Sequence, residues 1–324
     1  MYIRPFSYDD ADYRAIVSIS NAIDPDNPSS VTAWKHFDSS RQKQHVFQRF
    51  VAERPAARGK AGVVVAVAAY GHTHWSYAPD KYFVNVQVDP EAQNSGIGSA
   101  LYDFVMGELQ PRQPAKLVSY TRENRGIAIR FLEQRGFRQV MRIPVSRLES
   151  VAFDADPFAE KIARLEESGI AIKTLHELSE EDADWKPKAY ELEWECAQDV
   201  PTTDPLTKQP FEQFEKRTLG SPNLLPDAWF VAVDGDRYVG LSVLWKNLAT
   251  DSLLETGLTG VVRSHRRRGI ATAMKVRAIQ YAQENGGAAI VTDNEENNPM
   301  FQLNLQLGFE PQPAHLDFEL KLDT

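Results

Sequence analysis

Hydrophobic and polar positions along the chain alternate between the two-residue period of strands and the three-to-four-residue period of helices, and the order of those switches occurs twice. In the first half, residues 1–4 read as a strand, 9–21 as a helix and 30–38 as a second helix. Residues 46–51 and the Val-rich run 62–70 read as strands, and 83–88 alternates as a half-buried strand does. Ile97, Ala100, Leu101, Phe104, Val105 and Leu109 then recur at helical spacing, which predicts an amphipathic helix. A strand over 116–120, a helix over 125–135 and a strand over 137–145 complete the set. The second half repeats it: strand 170–175, helix 181–197, strands 228–233, 238–244 and 253–262, helix 268–283, strand 288–292, helix 299–306 and strand 309–322. Between the halves, 156–167 reads as a linker helix.

Particular residues repeat with the pattern. Gly96-Ile97-Gly98 and Gly269-Ile270-Ala271 are 173 residues apart, and Gly136-Phe137 and Gly308-Phe309 are 172 apart. Asp24-Pro25 falls near the place of Asp199-Val200-Pro201, at an offset of 175. Common offsets point to duplication. The expected fold class is α/β (α+β), with domains at 1–150 and 170–324 joined by a linker at 151–169. Each domain should hold a mixed, mostly antiparallel sheet flanked by helices.

Composition narrows the function. A length of 324 residues suits about two domains. The net charge of −9 argues against a nucleic-acid binder, and an anionic ligand would need a local basic site. The longest apolar run, 62–70, is about half of what a membrane span needs. The N-terminus lacks the pattern of a targeting peptide. A single cysteine, Cys196, rules out a disulfide framework within the chain and suggests a reducing, cytoplasmic setting, with Cys196 buried on its helix. A monomer or a homodimer suits a chain that already holds two copies.

The chemistry is expected at the two strand–loop–helix junctions. A helix N-terminus leaves backbone N–H groups without partners and carries partial positive charge, so it suits a pyrophosphate. Glycine lets the phosphate approach the backbone. The loop candidates of the first copy are Gln93, Asn94, Ser95, Gly96, Ile97, Gly98 and Ser99. Those of the second are Arg266, Arg267, Arg268, Gly269, Ile270, Ala271 and Thr272. Arg266, Arg267 and Arg268 supply local positive charge and can meet phosphate bidentately. One such loop alone reads more readily as a helix cap or close packing; two, in matching contexts, favour an anion site.

Gln93-x-x-Gly96-x-Gly98 and Arg266-x-x-Gly269-x-Ala271 resemble the (Gln/Arg)-x-x-Gly-x-(Gly/Ala) motif of the GCN5-related N-acetyltransferase (GNAT) family. The stretches from Asn124 to Gly136-Phe137 and from Asn297-Asn298 to Gly308-Phe309 resemble that family's following helix. The resemblance covers nearly the whole chain, most of all to tandem members of the mycothiol synthase type. It implies acetyl-CoA as acyl donor, with pantetheine in a splay between the strands that end near Val88 and start near Lys116, and likewise near Val261 and Ala288. It further implies that the strand residues Val86, Gln87 and Val88, and Gly260, Val261 and Val262, hold the cofactor, together with Asn124, Asn297 and Asn298. It implies transfer of acetyl to a small-molecule amine.

Such transfer needs a base for the ammonium, donors for the thioester oxygen and a route for the thiolate. Glu255 lies eleven residues before Arg266, the spacing at which the resemblance places a strand glutamate as base; the same spacing in the first copy gives Tyr82. The tyrosine that many members carry four residues before Gly-Phe is replaced by Leu132 and Asn304. The helix with Glu191, Glu193, Glu195, Trp185, Tyr190 and Trp194 reads either as a solvated acidic face or as a cationic acceptor site. Arg122 and Arg125 read as a solvated pair within possible reach of an adenosine phosphate, and His72 with His74 falls short of a metal site. A binding module without turnover is the competing reading, as is an enzyme active in its first copy alone.

Overall fold

The computed structural model describes residues 1–55 and 62–322. Two compact units emerge, and neither is one contiguous stretch. The first takes Met1–Met141, Asp204–Gln209 and Leu316–Thr324; the second takes Arg142–Thr203 and Pro210–His315.

The first unit runs β1 (Tyr2–Pro5), α1 (Asp10–Ile23), α2 (Val31–Ser39), β2 (Phe47–Arg54), β3 (Val63–Gly71), β4 (Lys81–Val88), α3 (Ile97–Leu109), β5 (Lys116–Arg122) and α4 (Gly126–Glu133). Strands β1 to β4 pair antiparallel in sequence order, and β4 and β5 are parallel. Asp9 and Ser30 cap α1 and α2 by accepting from Asp12 N–H and Ala33 N–H. Ile97, Leu101, Val105 and Leu109, one face of α3, pack on Val65, Ala66, Ala68 and Val84. The expected periodicity thus becomes the core contact that holds α3 against the sheet.

After β6 (Arg138–Glu149) and α5 (Ala159–Glu167), the second unit continues with β7 (Ile170–Thr174), α6 (Leu175–Glu181), α7 (Trp185–Ala197), α8 (Phe211–Phe214), β8 (Leu224–Asp234), β9 (Arg237–Lys246), β10 (Leu253–Val261), α9 (Ile270–Glu284), β11 (Ala289–Asp293) and α10 (Pro299–Gln306). Strand β12 (Glu310–Lys321) ends the chain's regular structure. The helix expected over 181–197 is divided: α6 begins in a capping box on Thr174 and Glu177, and the chain turns at Asp182 before α7. Asp182 accepts from Asp184 N–H, Lys188 and Tyr238, so its carboxylate stops one helix and anchors the next.

Each sheet closes with a strand from the other half of the sequence. Residues Val145–Glu149 of β6 pair antiparallel with β11 in the second unit. In the first unit the end of β12 neighbours β5, Leu322 donates to Ala115 O at 2.9 Å, and Lys116 pairs with Glu319. The segment 204–209 joins the first unit through Asp204, which pairs with Lys81 and Lys116.

Candidate active sites

Both junctions adopt the same backbone. Gly96 (φ 80°) and Gly269 (φ 86°) are the left-handed N-caps of α3 and α9, and neither helix has a side-chain cap. Asn94 (φ 57°) and Arg267 (φ 61°), again 173 apart, share the preceding left-handed turn. The first amides of each helix therefore have no side-chain partner and face the loop mouth. Gln93 donates through Nε2 to Val88 O at 3.1 Å, and Arg266 donates through Nε to Val261 O at 2.9 Å. The first residue of each motif thus ties its loop to the end of the preceding strand.

The splays are equally matched. Strand β4 pairs with β5 only over Lys81–Phe83, and β10 pairs with β11 only over Leu253–Glu255. Beyond Phe83 the first splay opens into a cleft of about 660 Å³. Val86, Gln87, Val88, Gln93, Asn94, Gly96, Gly98, Ser99 and Asn124 all line it, so most of the predicted first-copy residues are brought together; Ser95 and Ile97 are not on its wall. Ser95 donates to Ala92 O, and Ile97 is buried in the core. The Oε1 of Gln87 is buried without a hydrogen-bond partner, an acceptor suited to a ligand N–H. A Cβ built on Gly96 would meet nothing within 4 Å, so the backbone there is open to an anion.

The cleft's basic groups lie on and beside α4: Arg125, Arg130 and Arg135. Arg135 donates to Ser99 Oγ at 2.8 Å and stacks on Phe131. Arg122 and Arg125 are not the solvated pair expected from sequence. Asp24 pairs with both, Arg122 is only 8% exposed, and Arg125 also donates to Ile23 O. Burial holds the Arg125 guanidinium below its usual range.

The second loop differs in its charges. Asp199 pairs with Arg263 and Arg266, and Asp234 pairs with His265 and, at 4.0 Å, with Arg268. The aliphatic stem of Lys161, on α5, lies over Gly269, 3.2 Å from where a Cβ would stand. Gly260 is needed for packing, since a Cβ there would sit 2.6 Å from Cys196 Cβ on α7. Val262 N–H is bonded to Val239 O. Ile270 and Thr272 are buried, and Ala271 packs on the core. Asn298 caps α10 by accepting from Met300 N–H, and Asn297 donates to Glu295.

Glu255 stands at the last paired position of the second splay, opposite Val291. Asn247 donates to its Oε1 at 2.9 Å, and burial raises its carboxyl above the usual range, helped by the charge of Asp293. Immediately beyond, β10 slips by one residue against β9 between Thr256 and Thr259, a bulge that β4 lacks. The corresponding Tyr82 is buried and stacks on His72, whose Nδ1 accepts from Val46 N–H. Neither Asn247 nor Lys161 stands out before folding: the first lies outside every motif, and the second lies in the expected linker.

Comparison with known families decides the assignment. Residues 45–139 match the acetyltransferase (GNAT) domain family, and residues 186–309 match the acetyltransferase (GNAT) family. The chain is a tandem GNAT protein. It belongs among the acetyltransferases, and its two GNAT domains carry the mixed, mostly antiparallel sheets expected from the repeat. Solved structures agree on the fold. A tandem GNAT protein from the clavulanic acid biosynthesis pathway is 17% identical, with a TM-score of 0.74 over 100% of this chain and 99% of that one. A GCN5-related N-acetyltransferase from Sphaerobacter thermophilus is 20% identical, with a TM-score of 0.67 over 98% and 95%. No curated protein matches in sequence. Among the described residues, no helix is long and apolar enough to cross a membrane, and no group of three or more His, Cys, Asp and Glu is placed to hold a metal ion.

Proposed function

We propose that this tandem GNAT protein transfers acetyl from acetyl-CoA to a small amine, with the chemistry in the second domain and Glu255 as the general base. The observation that carries this reading is the pairing of a half-buried carboxylate with the mouth of a splay. Its raised pKa suits proton transfer near neutrality better than an ordinary glutamate would. Acetyl-CoA would bring an acyl group already activated as a thioester. The free amides of α9 would hold its pyrophosphate, flanked by Arg267, Arg268 and Lys161, and the end of β10 would bind the pantetheine arm. Asn247 orients Glu255, which takes the proton from the amine. A small cationic acceptor suits the neighbouring α7, where the Oε2 of Glu193 is buried without a hydrogen-bond partner and feels the charge of Arg217.

The first domain supports a different role. Its cleft is open and basic, and its Gln87 waits for a donor, yet Tyr82 stands where a carboxylate would be needed. That combination favours CoA binding without turnover.

Thiol release from acetyl-CoA across a panel of amines tests the proposal. Glu255→Gln should lower kcat by roughly 10²-fold, the usual contribution of a general base, with the KM for acetyl-CoA little changed. Turnover unaffected by the substitution would remove Glu255 from the mechanism. Tight CoA binding with no thiol release for any amine would leave only a binding protein.

A further inference from the structure

Lys275, on α9, is 3% exposed. It makes no ion pair among the described residues, and its Nζ lies over the ring of Phe309, 5.6 Å from the centroid. Burial pushes its pKa down to about 8, and no charged group offsets that. The charged residues on the elements packed against α9 include Arg237 and Lys246 of β9, Asp227 and Asp234 of β8, Glu255 of β10, Asp293 of β11 and Lys161 of α5, and none acts on it. Helix α10 carries no charged residue at all. A buried ammonium with no anion is costly, and proteins rarely keep one without a use.

The internal repeat locates it. At the offsets of 173 and 172, Lys275, Asn304 and Phe309 correspond to Tyr102, Leu132 and Phe137. Those three side chains line one cavity of about 50 Å³ in the first domain, together with Asn85, Val86 and Tyr120 of its splay. The contact between Lys275 and Phe309 shows the same neighbours meeting in the second domain. Asn304 is fully buried there, its Nδ2 donating to Asn294 Oδ1 at 2.6 Å and its own Oδ1 left without a partner. By that correspondence, the places that line the cavity at the first splay are held in the second domain by a cation without an ion pair and by an acceptor without a partner. In the first domain the matching places hold a phenol and a leucine.

We propose that Lys275 is the cation that receives the departing thiolate in the second domain. This rests on the acetyl-CoA reading given above. As the amine nitrogen bonds to the acyl carbon, the carbon–sulfur bond breaks and its electron pair leaves on sulfur. The proton shed by nitrogen passes to Glu255, and the Lys275 ammonium faces the new sulfur anion.

Binding, rather than turnover, gives the sharper test. Full-length protein carrying Gly96→Glu, so that the second cleft reports alone, is titrated with CoA and with desulfo-CoA between pH 6 and pH 8. With Lys275 intact, CoA should gain on desulfo-CoA by roughly tenfold as pH rises, because the bound thiol ionises early beside a cation. The bound thiolate should also show its ultraviolet absorbance below the pH at which free CoA does. Lys275→Met should abolish both effects and lower kcat by roughly 10²-fold. Equal pH dependence for the two ligands with Lys275 intact overturns the assignment even if the variant does not fold. Equal thiol titration with and without Lys275→Met also overturns it. Failure to bind either ligand, in this background and in wild type, overturns the acetyl-CoA reading itself.

Discussion

In the first GNAT domain the loop at Gly96 opens onto a broad cleft, and the strand that leads to it begins at a stack of buried aromatics. In the second, Lys161 lies across the loop at Gly269, and the strand that leads to it begins near a carboxylate held by an asparagine. The backbones agree down to two left-handed residues per loop. The differences lie in side chains and in one bulge. Duplication has kept the part that needs backbone geometry, an anion cradle, and has let the part that needs particular functional groups diverge. A phosphate-binding loop survives most side-chain changes around it because its donors are amides. A general base does not.

The largest expected effect separates the domains by pH. For wild type, kcat/KM should rise through an acid limb set above the ordinary carboxylate range, because the Glu255 base must be ionised and burial opposes that. Loss of that limb in Glu255→Gln, with no matching change in Tyr82→Phe, would sharpen the contrast. An acid limb that persists in Glu255→Gln would break it.

Next comes stoichiometry. If both cradles bind CoA, calorimetry should find two sites, and Gly96→Glu should leave one. The glutamate would bring both a side chain into the open cradle and a negative charge against the phosphate. Two sites persisting in the variant would mean that the first cleft serves something else.

Lys161→Ala asks whether the cover on the second loop is a latch or a contact. Lys161 brings a positive charge to a loop whose Arg266 and Arg268 already pair with Asp199 and Asp234. Its loss should weaken CoA binding to the second site by a few-fold, more at low salt than at high. Tighter binding would identify Lys161 as an obstruction.

The smallest effect concerns the acceptor side. Burial raises the Glu193 carboxyl to about 7. It is therefore protonated in the folded protein at pH values where the unfolded chain has ionised it. Its contribution to stability is present at low pH and is lost as pH rises from the unfolded carboxylate range through about 7. Glu193→Gln should thus leave Tm unchanged near pH 4 and raise it by roughly 2–4 °C at pH 8. A cationic acceptor amine should erase that difference in wild type by supplying a counter-ion.

Much of this was legible beforehand. The helical stripe from Ile97 to Leu109, the glycines at fixed offsets and the unequal Glu255 and Tyr82 are local patterns, and local patterns survive folding. The exchange of terminal strands was not legible. Residues 138–149 and 310–321 carry similar mixed apolar and polar strands, and nothing within a strand says which neighbour it will pair with. The fate of the arginines was hidden for a related reason. Arg266 and Arg122 looked free because Asp199 and Asp24, which neutralise them, lie far away in sequence. Asn247 and Lys275 escaped notice because an asparagine after a strand and a lysine on a helix are ordinary until burial is known.

The central claim is that the second domain performs the chemistry, and Gly269→Glu tests it most directly. One preparation of the full-length variant is measured for CoA stoichiometry and for thiol release with an accepted amine. The account predicts one equivalent of CoA still bound, in the first cleft, and turnover reduced by roughly 10²-fold or more. Turnover at the wild-type rate, with the second site emptied, would place catalysis in the first domain and contradict the account.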